Sequence, residues 1–147
     1  MPVVDFYMLT FEDMQSHEAG LYCCDWIEQR FSKGHRIYIH TSSKTQAETL
    51  DELLWTFRET SFLPHTLCYE ELKPIPPIQI GYGKPPQITH DTLLNLTDEI
   101  PAFFGQFHTT AQFVPNQEDK VALARELYRS YRAQGCVLNY YDLRKAQ

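Results

Sequence analysis

Between Val3 and Arg58 the chain alternates twice between a short β-prone run and a helical stripe, and that order leaves few folds open. Val3–Leu9 (VVDFYML) alternates and is rich in β-branched and aromatic residues, so it reads as a strand. From about residue 12 to 33, Leu21, Cys24, Ile27 and Phe31 recur at spacings of three and four, and Gly34 follows as a stop. Arg36–His40 (RIYIH) is a second, more apolar strand, and Thr41-Ser42-Ser43 offers capping oxygens, with Gln46 three residues after Ser43. The next helix is expected from Lys44 to Arg58, with Ala47, Leu50, Leu54 and Phe57 as its core stripe. Strand, helix, strand, helix is the opening of a parallel α/β sheet.

The remainder continues the pattern less regularly. Lys73-Pro74-Ile75-Pro76-Pro77 cannot be helical and reads as an extended connection, and Lys84-Pro85-Pro86 marks a second loop. Ile78–Gly81, Thr92–Leu96 and a run ending at Gln112-Phe113-Val114 are strands, and Ile100–Gly105 is a short helical turn begun near Pro101. Glu118–Gln134 is the last long helix, stopped by Gly135. With 147 residues, no repeat and no low-complexity segment, the chain reads as one three-layer domain over 1–147 with a mostly parallel sheet.

Several function classes are disfavoured. No apolar run approaches the roughly 18 residues of a membrane span, so no membrane partner is expected. Met-Pro-Val-Val-Asp lacks the basic start of a signal peptide, so a cytoplasmic location is expected. Cys23, Cys24, Cys68 and Cys136 form no CxxC pair, and reduced thiols follow. Gly81-Tyr82-Gly83-Lys84 is followed by two prolines rather than a helix, and no GxGxxG follows the first strand, so no nucleotide cofactor is expected. The six histidines form no HxH, HxxxH or HExxH, and no GxSxG elbow is present, so neither a metal site nor a catalytic residue is assigned. Asn95-Leu96-Thr97 matches a glycosylation sequon, which a cytosolic chain does not present to that machinery.

The net charge of −6 argues against a general nucleic-acid binder, but it is unevenly spread. Residues 120–147 hold six basic and two acidic groups, leaving seven basic and seventeen acidic groups in 1–119. On the last helix Leu123, Ala124, Leu127 and Tyr131 share a core stripe, while Arg125, Arg129 and Arg132, at i, i+4 and i+7, share another face bordered by Val121 and Tyr128. Most charged stripes are solvated faces. Three arginines at this spacing also suit carboxylates, which a guanidinium grips bidentately. On the helix from Lys44, Trp55 lies off the core stripe, and Phe62-Leu63-Pro64 follows. This apolar excess fits either local packing under a loop or an aromatic docking patch.

These residues also carry a family resemblance. Gly34–Thr41, Gln46-Ala47-Glu48, LDELLWTF at 50–57, SFLPH at 61–65, Leu93–Leu96, Phe113-Val114-Pro115 and Ala124–Arg132 before Gly135 closely resemble the chi subunit of bacterial DNA polymerase III, across essentially the whole chain. The resemblance implies a Rossmann-like α/β domain without nucleotide, acting as a non-catalytic accessory subunit of the clamp-loader assembly in DNA replication. It implies two partners: the psi subunit and the acidic C-terminal tail of single-stranded-DNA-binding protein, with DNA engaged only indirectly. For the tail it assigns Arg125 to carboxylates, Arg129 and Lys120 to added attraction, and Val114, Val121 and Tyr128 to apolar contact. Val121 departs from family members with Lys there. For psi it assigns Trp55, Phe62, Leu63, Pro64 and His65. The competing expectation is a small nucleotide-handling α/β enzyme, which the missing glycine loop disfavours, and direct single-stranded DNA binding is disfavoured by the sparse aromatics of the arginine face.

Overall fold

A computed structural model describes residues 2–57, 63–67, 76–83 and 91–145. Its elements are β1 (Val3–Met8), α1 (His17–Ser32), β2 (Ile37–Thr41), α2 (Lys44–Thr56), β3 (His65–Leu67), β4 (Ile78–Tyr82), β5 (Thr92–Asn95), β6 (Thr109–Val114), α3 (Glu118–Ala133) and β7 (Val137–Asp142), with 3-10 turns at Phe104–Gln106 and Leu143–Lys145. The strands form one sheet in the order β3-β4-β2-β5-β6-β1-β7. Every pairing among them is parallel. The expected Lys73–Ile75 connection, the Lys84–Pro86 loop, Arg58, Phe62 and Cys68 lie outside the described residues.

Period-two alternation sorts the side chains into two cores. Tyr7, Ile37, Ile39, Leu94, Ala111 and Phe113 point towards α1 and α2, while Phe6, Met8, Tyr38, Leu93 and Val114 point towards α3 and the Phe104 turn. The result is the expected three-layer α/β domain. Because both faces are covered, β2, β4 and β5 are almost fully buried, which is why they read as apolar runs.

Three local expectations are corrected. Helix α1 starts at His17, not near residue 12, because Asp13 folds the preceding segment into a turn. Its carboxylate accepts the Gln15 N–H at 2.8 Å, its carbonyl accepts the Ser16 N–H, and Ser16 Oγ then caps the Ala19 N–H. The buried face of α1 is Ala19, Cys23, Cys24, Trp26 and Ile27, with Leu21 exposed and Phe31 only partly buried. Trp26 wins that place because it packs edge-on against both Tyr7 and Phe113. At α2, Ser43 Oγ caps the Gln46 N–H as expected, worth about 1 kcal/mol. The Gln46 side chain returns to Ser42 N–H and Oγ rather than to the cap residue itself. Helix α2 ends at Thr56, with Phe57 as its half-buried cap.

Two strands have no counterpart in the sequence reading, β3 and β7, and they are the two edges of the sheet. Gly34 and Gly135, both at φ 85°, end α1 and α3 in the left-handed conformation that favours glycine. Cys23, Cys24 and Cys136 are free thiols, and burial pushes Cys24 up to about 12 and raises Cys23 as well. The sequon residue Asn95 is fully buried, its amide donating to Glu99 O and Gln112 Oε1 at 2.8 Å each.

Candidate partner-binding sites

The connection from β6 through α3 to β7 passes over β1, leaving a groove between α3 and the edge strand. β1 and β7 are in register, with Phe6 opposite Tyr140 and Met8 opposite Asp142. The groove encloses about 290 Å³. Phe6 and Met8 form its floor, with Val121, Ala124 and Tyr128 on one wall and Tyr140 on the other. Tyr128 packs on Phe6, ring centroids 5.5 Å apart, whereas Tyr140 remains 53% exposed. Arg125, Arg129, Arg132 and Arg144 ring this apolar floor. Helical spacing places the first three on one exposed face of α3.

The four guanidinium groups are not equivalent. Arg144 is held by Asp142 through a bidentate pair, Nε to Oδ1 and Nη2 to Oδ2 at 2.9 Å each, and Tyr140 Oη donates to the same carboxylate at 3.3 Å. The Arg144 hydrogen bonds hold the Asp142 carboxyl down at about 2, so the pair persists across ordinary pH. Among the described residues, Arg125, Arg129 and Arg132 are in no ion pair, and all three are exposed where they line the groove. An apolar pocket ringed by unpaired guanidinium groups suits a ligand that joins an apolar side chain to carboxylates.

The structure brings together four of the six residues assigned to this surface: Arg125, Arg129, Val121 and Tyr128. Two are corrected. Lys120 donates to Asp98 at 2.7 Å, so its charge is spent on the loop after β5, and it does not line the groove. Val114 is only 3% exposed and packs in the α3-side core, where it supports the floor without meeting solvent. The floor residues Phe6 and Met8, and Tyr140 and Arg144 beyond the helix, went unassigned. The β-prone pair Tyr140-Tyr141 just after the Gly135 stop was their available signal.

The second face centres on Trp55, which is 52% exposed although its ring lies 4.4 Å from that of His65. Two of the residues assigned with it are covered in this chain: Leu63 and His65 are only 3% and 5% exposed. The His65 ring nitrogens contact Leu63 O and Asp51 O, so this imidazole pins β3 to α2 and props up Trp55. Pro64 is half-buried. Among the described residues assigned to this face, Trp55 is the exposed aromatic.

Fold and surface together define a parallel α/β domain with an arginine-ringed groove on the α3 layer and an exposed Trp55 on the α1–α2 layer. A family model described as "DNA polymerase III chi subunit, HolC" matches residues 1–139. The DNA polymerase III subunit chi of Pseudomonas aeruginosa is 34% identical over 143 residues, 97% of this chain and 98% of that protein. The subunits chi of Haemophilus influenzae and Escherichia coli are 34% identical over 131 residues and 33% identical over 117 residues. Those matches span 88% of this chain and 90% of the first relative, and 79% and 80% for the second. The chain belongs to the DNA polymerase III chi subunit family.

Proposed function

We propose that this chain is a non-catalytic, cytoplasmic adaptor in DNA replication, joining the clamp-loader-associated psi subunit to the acidic C-terminal tail of single-stranded-DNA-binding protein. The observation that carries the tail reading is the α3–β7 groove, where an apolar floor is ringed by three arginines without acidic partners among the described residues. The apolar last side chain of the tail fits the Phe6, Met8 and Tyr128 floor. Its terminal carboxylate is assigned to Arg125, and upstream acidic residues to Arg129 and Arg132. Binding is then moderate and weakens with salt, since the pairs are exposed. A tail peptide with a free terminal carboxylate is expected to bind at least about tenfold more tightly than the same peptide amidated, as loss of one charge-assisted pair implies. Equal affinity would remove the terminal-carboxylate assignment.

Asp142 sharpens this reading. It presents a carboxylate to Arg144 at the groove, so it subtracts from the positive field that an acidic peptide meets. Asp142→Asn is expected to tighten tail-peptide binding by about two- to fivefold at low salt, with a steeper salt dependence. Weaker binding in this variant would mean that Asp142 serves to position Arg144 for the ligand.

The psi reading rests on the exposed Trp55 indole, the residue type most enriched in interface hot spots. It lies on the α1–α2 layer, the opposite face of the sheet from the arginine groove. That arrangement lets both partners be held at once.

A further inference from the structure

β7 is an edge strand that lacks the usual protection of an edge. It stands last in the sheet and pairs with β1 in unbroken register, from Val3 opposite Val137 to Met8 opposite Asp142. Its sequence, VLNYYD, holds no Lys or Pro, and its ladder has no bulge, the features by which exposed edges resist further pairing. The opposite edge, β3, is three residues long and buried. Val137, Tyr140 and Tyr141 are three of the five exposed large hydrophobic residues among the described residues. The Val137 N–H donates to Pro2 O at 2.9 Å. Strand alternation then turns the backbone groups of Asn139 and Tyr141 towards β1, and those of Leu138 and Tyr140 outwards, along a strand about 20 Å long.

The charges beside this edge favour an acidic occupant. On the α3 side, Tyr140 stands with Arg132 and Arg144. On the other side, Tyr141 stacks on Tyr7 at 5.2 Å, and Arg30 donates to the Tyr7 hydroxyl at 2.9 Å. The two carboxylates of the edge are already engaged, Asp142 by Arg144 and Asp5 by the Asn139 amide. A second copy of this chain is a poorer occupant. Antiparallel pairing of two β7 strands about a two-fold axis keeps both α3 helices on one face of the joined sheet, which gathers two sets of Arg132 and Arg144 along the seam.

We infer that β7 accepts an extended acidic peptide as an eighth strand, its backbone bonding the outward groups of Leu138 and Tyr140 and its side chains packing beside Tyr140 and Tyr141. This surface goes beyond the tail reading. It needs no free chain terminus and lies along the sheet edge, whereas the terminal carboxylate of the tail is assigned to Arg125 on the α3 layer.

The test uses the full chain and a ten-residue peptide in which Glu alternates with Val and Thr, acetylated and amidated so that it offers no terminal carboxylate. Calorimetric titration is expected to show saturable, salt-sensitive binding. Amide hydrogen exchange followed by NMR is expected to slow by about tenfold or more at Leu138 and Tyr140 in the complex, because their outward N–H groups become bonded. Val137→Glu/Tyr141→Glu places two carboxylates at exposed positions on the edge and is expected to weaken binding by about tenfold or more at low salt, with an unchanged thermal midpoint as the check on folding. Arg125→Ala is expected to bind the peptide as the wild type does. Absence of binding, binding without protection of Leu138 and Tyr140, or full affinity in the double variant would each overturn the edge inference. Loss of binding in Arg125→Ala would also overturn it, by placing the peptide in the arginine groove. Failure of the free-carboxylate tail peptide to bind, with this peptide still bound and protecting both amides, would remove the tail reading and leave the edge site standing.

Discussion

Replacing Tyr131 with alanine is expected to lower the free energy of unfolding by about 3–5 kcal/mol, the range for removing a large aromatic from a closed core. Tyr131 is fully buried, and its ring meets those of Phe104 at 5.1 Å and Phe6 at 6.0 Å, both edge-on. It anchors α3 to the sheet beneath the arginine groove. Among the described residues its buried hydroxyl has no partner at hydrogen-bond geometry, and burial pushes the phenol pKa up against a smaller lowering by the nearby Asn95 side chain. Asn95 lies beside it, but that amide is committed to Glu99, Gln112 and Thr97. Tyr131→Phe should therefore keep the packing and change stability by less than about 1 kcal/mol. Urea unfolding of the two variants separates the contributions. A large loss in Tyr131→Phe would show that the hydroxyl is bonded and that the polar group, not the ring, holds the helix.

The second large effect is expected at Arg125. It sits midway along the groove, next to Ala124 over the Phe6 and Met8 floor, and no carboxylate among the described residues is paired with it. Arg129→Ala and Arg132→Ala remove charge nearer the C-terminal end of α3, and each should cost less than Arg125→Ala. Because Arg125 is exposed, its loss should leave the unfolding free energy within about 0.5 kcal/mol of wild type, as for other surface substitutions. A large binding loss with unchanged stability is the signature of a contact residue rather than a framework one.

Much of this fold is legible in the sequence because central parallel strands are buried on both faces. Ile37–Thr41 and Thr92–Asn95 appear as apolar runs for that reason, and glycine stops fall where the helices end. The edges are not legible in the same way. β7 has one neighbour and a mostly exposed pattern, so VLNYYD lacks the apolar signal of a core strand. The groove wall opposite α3 is illegible for the same reason, since Tyr140 and Arg144 come from β7 and from the turn that follows. The arginine stripe was visible because three residues at i, i+4 and i+7 share a helical face whatever the rest of the fold does. The pairing of Lys120 with Asp98 was not, because it joins residues 22 apart through a loop that no local pattern describes. The same limit explains Leu63 and His65. A run such as SFLPH shows apolar content, but only the packing of β3 against α2 decides which side chains are covered and leaves Trp55 outside.

Both surfaces therefore combine a locally encoded stripe with partners supplied by tertiary structure. On α3 the stripe is basic and the floor comes from β1; on α2 Trp55 lies off the core stripe and is propped by His65 of β3.

The central claim is tested most directly by titrating the full chain, wild type and Arg125→Ala, with a peptide copying the acidic C-terminal tail of single-stranded-DNA-binding protein. Saturable, salt-sensitive binding by the wild type is expected, weakened by about ten- to a hundredfold in Arg125→Ala, as loss of a charge-assisted pair implies. Equal affinity in the two proteins would contradict the assignment of the α3–β7 groove as the tail site.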